Sequence, residues 1–146
     1  MSMTGTVLRG ELEAWCAHYI EAFMAFDAEA IGAAWTYPAT VNQAGRIFVF
    51  EDQERFVRNT KKLCEFYKRQ GVARAERRVV EVLSLGKDTA SMLVSDIMYD
   101  AAGSALAQWQ AGYTLVRIDG DWKAVFAVAD GETESWAARG TPLGQS

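Results

Sequence analysis

The sequence has little of the chemistry that metal and redox sites usually need. Its 146 residues include one histidine and two cysteines, Cys16 and Cys64, too few for a usual structural zinc site. Both cysteines lie in helix-like patterns, and we interpret them as buried, reduced thiols. No apolar run reaches the ~18 residues needed to cross a bilayer, and residues 1–10 lack the apolar core of a secretion signal. These absences predict a cytoplasmic protein that uses no cofactor.

Positive charge is also scarce overall. Fifteen Lys and Arg stand against 19 Asp and Glu, which gives a net charge of −4 and argues against a nucleic-acid partner. Residues 55–78 are the exception, with nine basic and two acidic residues. This segment could meet an acidic partner or a phosphate, but we interpret it as a solvated helix face. The sequence has no glycine-rich phosphate loop, G-x-S-x-G or H-E-x-x-H motif, so nucleophilic and metal-hydrolase chemistry have no support.

Half of the residues are hydrophobic, enough for one globular domain. In the first half of the chain the apolar residues recur at helical spacing. This pattern predicts three helices, over residues 11–26, 28–35 and 53–70. Asp27 and Asp52 precede the second and third helices, where a carboxylate can cap the free N–H groups, and Gly71 follows the third, where a glycine can end it.

After Gly71 the apolar period changes to two, which is typical of strands. The predicted strands are 73–85, 90–99, 104–118 and 122–129, with a shorter pair at 39–43 and 46–50. Short turns join the four long strands, so we expect an antiparallel meander in an α+β fold. We divide the chain into an N-terminal extension (1–10), a domain (11–130) and a C-terminal tail (131–146) in which Trp136 is the large anchor.

Three stretches carry a resemblance to a known superfamily. They are FMAFDAEAIGAAWTYPATV (23–41), FEDQERFVRNTKKLCEFYKRQG (50–71) and DAAGSALAQWQAGYTLVRIDGDWKAVFAVAD (100–130). Together they resemble the NTF2-like superfamily, which includes ketosteroid isomerases and SnoaL-like polyketide cyclases. The resemblance implies a cone-shaped, cystatin-like fold in which three N-terminal helices pack on a curved antiparallel sheet. It also implies one apolar pocket, and pairing of subunits through the outer face of the sheet.

The resemblance places two candidate groups near the start of the domain. Tyr19 lies eight residues before Asp27 and matches the helix-1 tyrosine with which ketosteroid isomerases stabilise an oxyanion. The alternative is a core tyrosine bonded to a carbonyl. Those isomerases carry a carboxylate just after an A-T-V string, but here residues 39–41 are followed by Asn42 and Gln43. These amides can orient a ligand but cannot accept a proton at useful pH.

Two aspartates are candidate acids or bases in place of that carboxylate. Asp96 shares one strand face with apolar residues, namely Met92, Val94 and Met98. It is a candidate general acid or base, or else an outward aspartate paired with an arginine at a subunit contact. Asp130 ends the last strand, where some polyketide cyclases are expected to carry their acid–base aspartate. It also precedes Gly131, which is typical of an ordinary turn.

Aromatic residues are numerous and could line a pocket for a flat or hydrophobic ligand. The candidate ligand-binding residues are Trp15, Trp35, Asn42, Gln43, Phe56 and Trp109. Neither face of strand 104–118 is fully polar, which favours a homodimer. We therefore expect a pocket for a small hydrophobic or aromatic ligand, with cofactor-free proton transfer of the isomerase or cyclase type. The alternatives are a non-catalytic binding protein and a dimeric interaction domain whose aromatics are all core.

Overall fold

The structure is a computed structural model that describes residues 3–143, and the side chains of residues 5–143. Its helices are α1 (Met3–Met24), α2 (Ala28–Ala33), α3 (Gln53–Gln70) and α4 (Asp130–Ala138). Its strands are β1 (Trp35–Gln43), β2 (Arg46–Phe50), β3 (Arg74–Gly86), β4 (Thr89–Tyr99), β5 (Ala105–Ile118) and β6 (Asp121–Val128). This is the predicted α+β arrangement.

Local sequence signals place the helix ends where they were predicted. The Asp27 carboxylate accepts a hydrogen bond from the Ala30 N–H at 3.1 Å, and that of Asp52 accepts from the Arg55 N–H at 2.9 Å. Gly71 ends α3 with a φ of 79°, in the left-handed region that glycine adopts without strain. The helix caps predicted from the sequence are therefore confirmed.

The strands form one sheet in the order β2-β1-β6-β5-β4-β3. Strands β3 to β6 make the predicted antiparallel meander, whereas β1 runs parallel to β6. Helix α1 packs over β3, and α2 packs on α3. The helices thus cover one face of a curved sheet, here called the inner face.

Both ends of the domain are more ordered than the sequence pattern indicates. The expected extension is helical from Met3 onward, so α1 is one long helix. The expected tail contains α4, which packs on β5 and buries Trp136 completely. A Cβ on Gly131 would lie 2.8 Å from the Gln110 carbonyl oxygen, so only glycine lets α4 lie this close to the sheet.

Helix α1 contributes Leu12 and Cys16 to the core, and the thiols of Cys16 and Cys64 are both buried and free. Among residues 3–143, no helix is both long enough and apolar enough to span a membrane.

Candidate functional site

A cavity of about 700 Å³ lies between the helices and the inner face of the sheet. This volume is in the range of small-molecule sites. Much of its wall is aromatic, contributed by Tyr19, Phe23, Trp35, Phe50, Phe56, Tyr67, Trp109 and Tyr113. The rings pack edge-on or tilted against one another, as in the contact of Trp35 with Phe56 at 4.8 Å between centroids.

A buried ion pair lies within this aromatic wall. Arg77 on β3 donates to both carboxylate oxygens of Asp96 on β4, at 2.7 and 2.8 Å. The same guanidinium donates to the Tyr113 hydroxyl at 3.0 Å. The side chains of Arg77 and Asp96 are only 5% and 7% exposed. A charge this deeply buried is tolerated because it is matched by an opposite charge with bidentate geometry.

Two phenols are in position to donate hydrogen bonds into the cavity. The Tyr19 oxygen accepts from the Trp35 indole N–H at 3.0 Å, and the Tyr113 oxygen accepts from Arg77. Neither hydroxyl hydrogen has an acceptor among the described residues. Burial raises the pKa of Tyr19 well above its ordinary value and also raises that of Tyr113. Both therefore stay protonated near neutral pH and can donate to a ligand oxygen.

A second carboxyl group, that of Glu132 on α4, also lines the cavity. It accepts hydrogen bonds from the Tyr67 hydroxyl and, at 3.2 Å, from the Trp136 indole N–H. Burial raises the pKa of Glu132 from 4.5 to about 7, although these two hydrogen bonds act in the lowering direction. Glu132 can therefore hold or release a proton close to neutral pH.

The mouth of the cavity is exposed and carries more positive charge than its interior. Its exposed lining residues come from β2 and α3, and are Arg46, Asn59, Lys62, Glu65 and Arg69. Three of them are cations and one is an acid. The exposed part of the lining is therefore mainly basic.

The structure brings six of the nine sequence-predicted site residues to the cavity, namely Tyr19, Trp35, Gln43, Phe56, Asp96 and Trp109. It places the other three outside. Trp15 stacks behind Tyr19 at 4.6 Å between centroids, and Asn42 alternates away from the cavity on β1. Asp130 begins α4 rather than an ordinary turn, and its carboxylate accepts from the Ala44 N–H, in the connection between β1 and β2, at 2.9 Å.

Three polar residues of the cavity were missed by the sequence reasoning: Arg77, Tyr113 and Glu132. Arg77 follows Ala75 at strand spacing and so shares the inward face, which was a usable signal. No sequence signal pointed to Glu132, because its burial depends on contacts with α3 and the sheet rather than on its neighbours in sequence. In the part of the chain that is described, no three His, Cys, Asp or Glu side chains are grouped so that they could hold a metal ion.

A family model described as NTF2-like protein (DUF6841) matches residues 10–132. The chain therefore belongs to this NTF2-like family. A search of curated proteins finds no match.

Solved structures show the same fold. A ketosteroid isomerase-like protein from Erwinia carotovora atroseptica is 20% identical, with a TM-score of 0.62 over 82% of this chain and 92% of that one. An NTF2-like protein with a cystatin-like fold from Novosphingobium aromaticivorans is 17% identical, with a TM-score of 0.66 over 91% and 87%. An NTF2-like protein of unknown function from Shewanella oneidensis is 11% identical, with a TM-score of 0.68 over 82% and 96%. At these identities the similarity shows the fold alone.

Proposed function

We propose that the protein binds a small, mainly apolar or aromatic organic molecule carrying a carbonyl group, and moves a proton within it without a cofactor. The cavity has the size and the aromatic walls for such a ligand. The hydroxyl groups of Tyr19 and Tyr113 can donate to the carbonyl oxygen. The observation that carries the proposal is Glu132, a carboxyl group inside the cavity with a pKa of about 7.

In this proposal Glu132 is the acid and base. Its carboxylate takes a proton from the carbon next to the carbonyl, and the electron pair of the C–H bond forms an enolate. The phenols of Tyr19 and Tyr113 stabilise the negative charge that develops on the oxygen. Glu132 then returns the proton to a carbon of the enolate, so that no atom is gained or lost.

Asp96 has a different role in this scheme from the one the sequence suggested. Both of its oxygens accept from Arg77, and this bidentate ion pair holds the carboxylate in place. Arg77 in turn donates to Tyr113 and orients that phenol. Asp96 and Arg77 are therefore proposed as positioning residues, and the proton transfer is assigned to Glu132.

The test follows exchange of the α-protons of 2-tetralone, a small aromatic ketone, for deuterium by NMR in D₂O at neutral pH. We expect the wild-type protein to accelerate the exchange and Glu132→Gln to abolish the acceleration, because an amide cannot accept the proton. Tyr19→Phe should reduce it about 10- to 1000-fold, since one donor to the developing oxyanion is lost. Asp130→Asn is the matched control, since this carboxylate lies outside the cavity, and it should keep wild-type exchange.

The alternative function is binding of such molecules in the same cavity without proton transfer. If wild type and Glu132→Gln bind 2-tetralone with equal affinity and neither accelerates exchange, the protein is a non-catalytic binding protein for such molecules. If neither binds any small aromatic probe, the cavity is not a ligand site and the proposal fails.

A further inference from the structure

We propose that the mouth of the cavity is a subsite for an anionic group, so that the ligand is amphipathic, with an apolar body inside and a carboxylate or sulfonate-like group at the opening. This inference rests on the proposed ligand cavity and adds the chemical class of the ligand. The residues of the subsite are Arg46, Lys62 and Arg69.

The three cations at the mouth differ from Arg55 and Arg58, two basic residues of α3 that do not line the cavity. Arg55 and Arg58 are neutralised by ion pairs with acids on the same helix, at 2.8 and 3.1 Å. No ion pair involves Arg46, Lys62 or Arg69 in the part of the chain that the structure describes. One acid, Glu65, lies among them, so three positive charges face one negative charge at the opening. The mouth therefore has a net positive charge of two.

The three cations come from two different elements that line the opening. Lys62 and Arg69 are seven residues apart on α3, which puts them on the same helix face about 10 Å apart. Arg46 approaches from β2, where its guanidinium lies over the Phe48 ring at 5.2 Å from the centroid. An anion at the mouth can thus be reached from both the helix and the sheet.

The interior of the cavity offers no unpaired cation to a charged group of the ligand. The charge of Arg77 is already matched by Asp96, and its Nη1 atom is buried without a hydrogen-bond partner among the described residues. The other carboxyl group of the interior, Glu132, is neutral or negative. A buried anion would meet no unmatched cation there, so an anionic ligand is oriented with its apolar body inward and its charged group outward.

Two fluorescent probes with the same ring system test separately whether the cavity binds an apolar body and whether its mouth binds an anionic group. 1-Anilinonaphthalene-8-sulfonate carries a sulfonate, and N-phenyl-1-naphthylamine lacks it. Titration at low salt should show that the wild-type protein binds the sulfonate probe about tenfold more tightly than the neutral one. In the triple variant Arg46→Gln, Lys62→Gln, Arg69→Gln this preference should disappear, while the affinity for the neutral probe stays within twofold.

A charge-matched control removes three cations that do not line the cavity, with Arg58→Gln, Lys61→Gln and Lys87→Gln. It should keep the wild-type preference, which shows that net charge alone does not explain the loss. Equal affinity of the wild-type protein for the two probes, or an equal loss of preference in the control, overturns the anionic subsite while leaving the cavity intact. Failure of both probes to bind overturns the proposed function, and the subsite with it.

Discussion

Tyr67 on α3 donates its hydroxyl hydrogen to the Glu132 carboxyl on α4, and both side chains are buried. The bond links two helices that are far apart in sequence and places a titratable group against the cavity. Because Glu132 binds its proton more tightly in the folded chain than in the unfolded chain, folding and protonation are coupled.

The first prediction concerns the pH dependence of stability. The pKa of Glu132 is about 7 in the folded chain, against an ordinary value of 4.5. The stabilisation that the folded chain gains from binding this proton is therefore fully present below pH 4.5 and is lost as the pH rises to about 7. The free energy of unfolding should therefore fall by about 3 kcal/mol across this window relative to Glu132→Gln. Urea unfolding at several pH values measures the difference. Asp130→Asn should follow the wild-type curve, and parallel curves for wild type and Glu132→Gln would contradict the prediction.

The second prediction concerns the buried ion pair. Asp96→Leu leaves the Arg77 charge without a partner in the interior, and Arg77→Met does the same to Asp96. Each single change should lower the free energy of unfolding by about 3–5 kcal/mol. The double variant should recover most of this loss, because no uncompensated charge remains. Denaturant unfolding of the four proteins completes the cycle, and additive losses in the double variant would show that the two charges are not coupled.

The third prediction compares two helical glycines, one with no room for a Cβ atom and one with open space around it. A Cβ on Gly131 would meet the backbone of Gln110, whereas one on Gly10 would have nothing within 4 Å. Gly131→Ala should displace α4 from the sheet and destabilise the protein by about 1–3 kcal/mol. Gly10→Ala should instead stabilise α1 by up to about 1 kcal/mol. Thermal unfolding measures both, and the same sign for the two changes would show that the close approach of α4 is not a constraint.

The fourth prediction is the homodimer that the sequence suggests. The outer face of the sheet carries exposed apolar side chains, among them Ile47 at 70% and Leu83 at 60% exposure. Such a face is favourable to cover with a second copy of the chain. Sedimentation at micromolar concentration should show a dimer for the wild type and a shift to monomer for the variant Ile47→Lys, Leu83→Lys. A wild-type monomer would contradict the expectation.

The parts of the fold that the sequence predicts are those with a local cause. Asp27, Asp52 and Gly71 act on backbone groups within a few residues, so a pattern in the sequence suffices to place them. Inward residues such as Trp109 follow from strand alternation. The α+β order of elements follows from the periodicities, and the NTF2-like fold was implied by the resemblance of three stretches to that superfamily.

The polar site was less accessible because its pairs are non-local. Counting back from the turn at Gly86 and Thr89 would set Arg77 opposite Met98. Two register shifts in the β3–β4 ladder, between Ser84 and Gly86 and between Val79 and Glu81, bring it opposite Asp96 instead. An ion pair that depends on bulges cannot be derived from alternation alone, and a carboxyl that depends on the docking of α4 cannot be derived from its own helix.

The parallel pairing of β1 with β6 has a consequence for how the cavity forms. It joins Thr40 to Phe126, whereas the β1–β2 hairpin and the meander each pair neighbours along the chain. The hairpin provides Arg46 at the mouth, and the meander provides the ion pair. The cavity is therefore complete only when the hairpin and the meander are joined by the β1–β6 pairing, a contact of long sequence separation. A bound molecule that touches both the hairpin and the meander would stabilise the β1–β6 pairing. It should therefore slow unfolding more than it speeds folding.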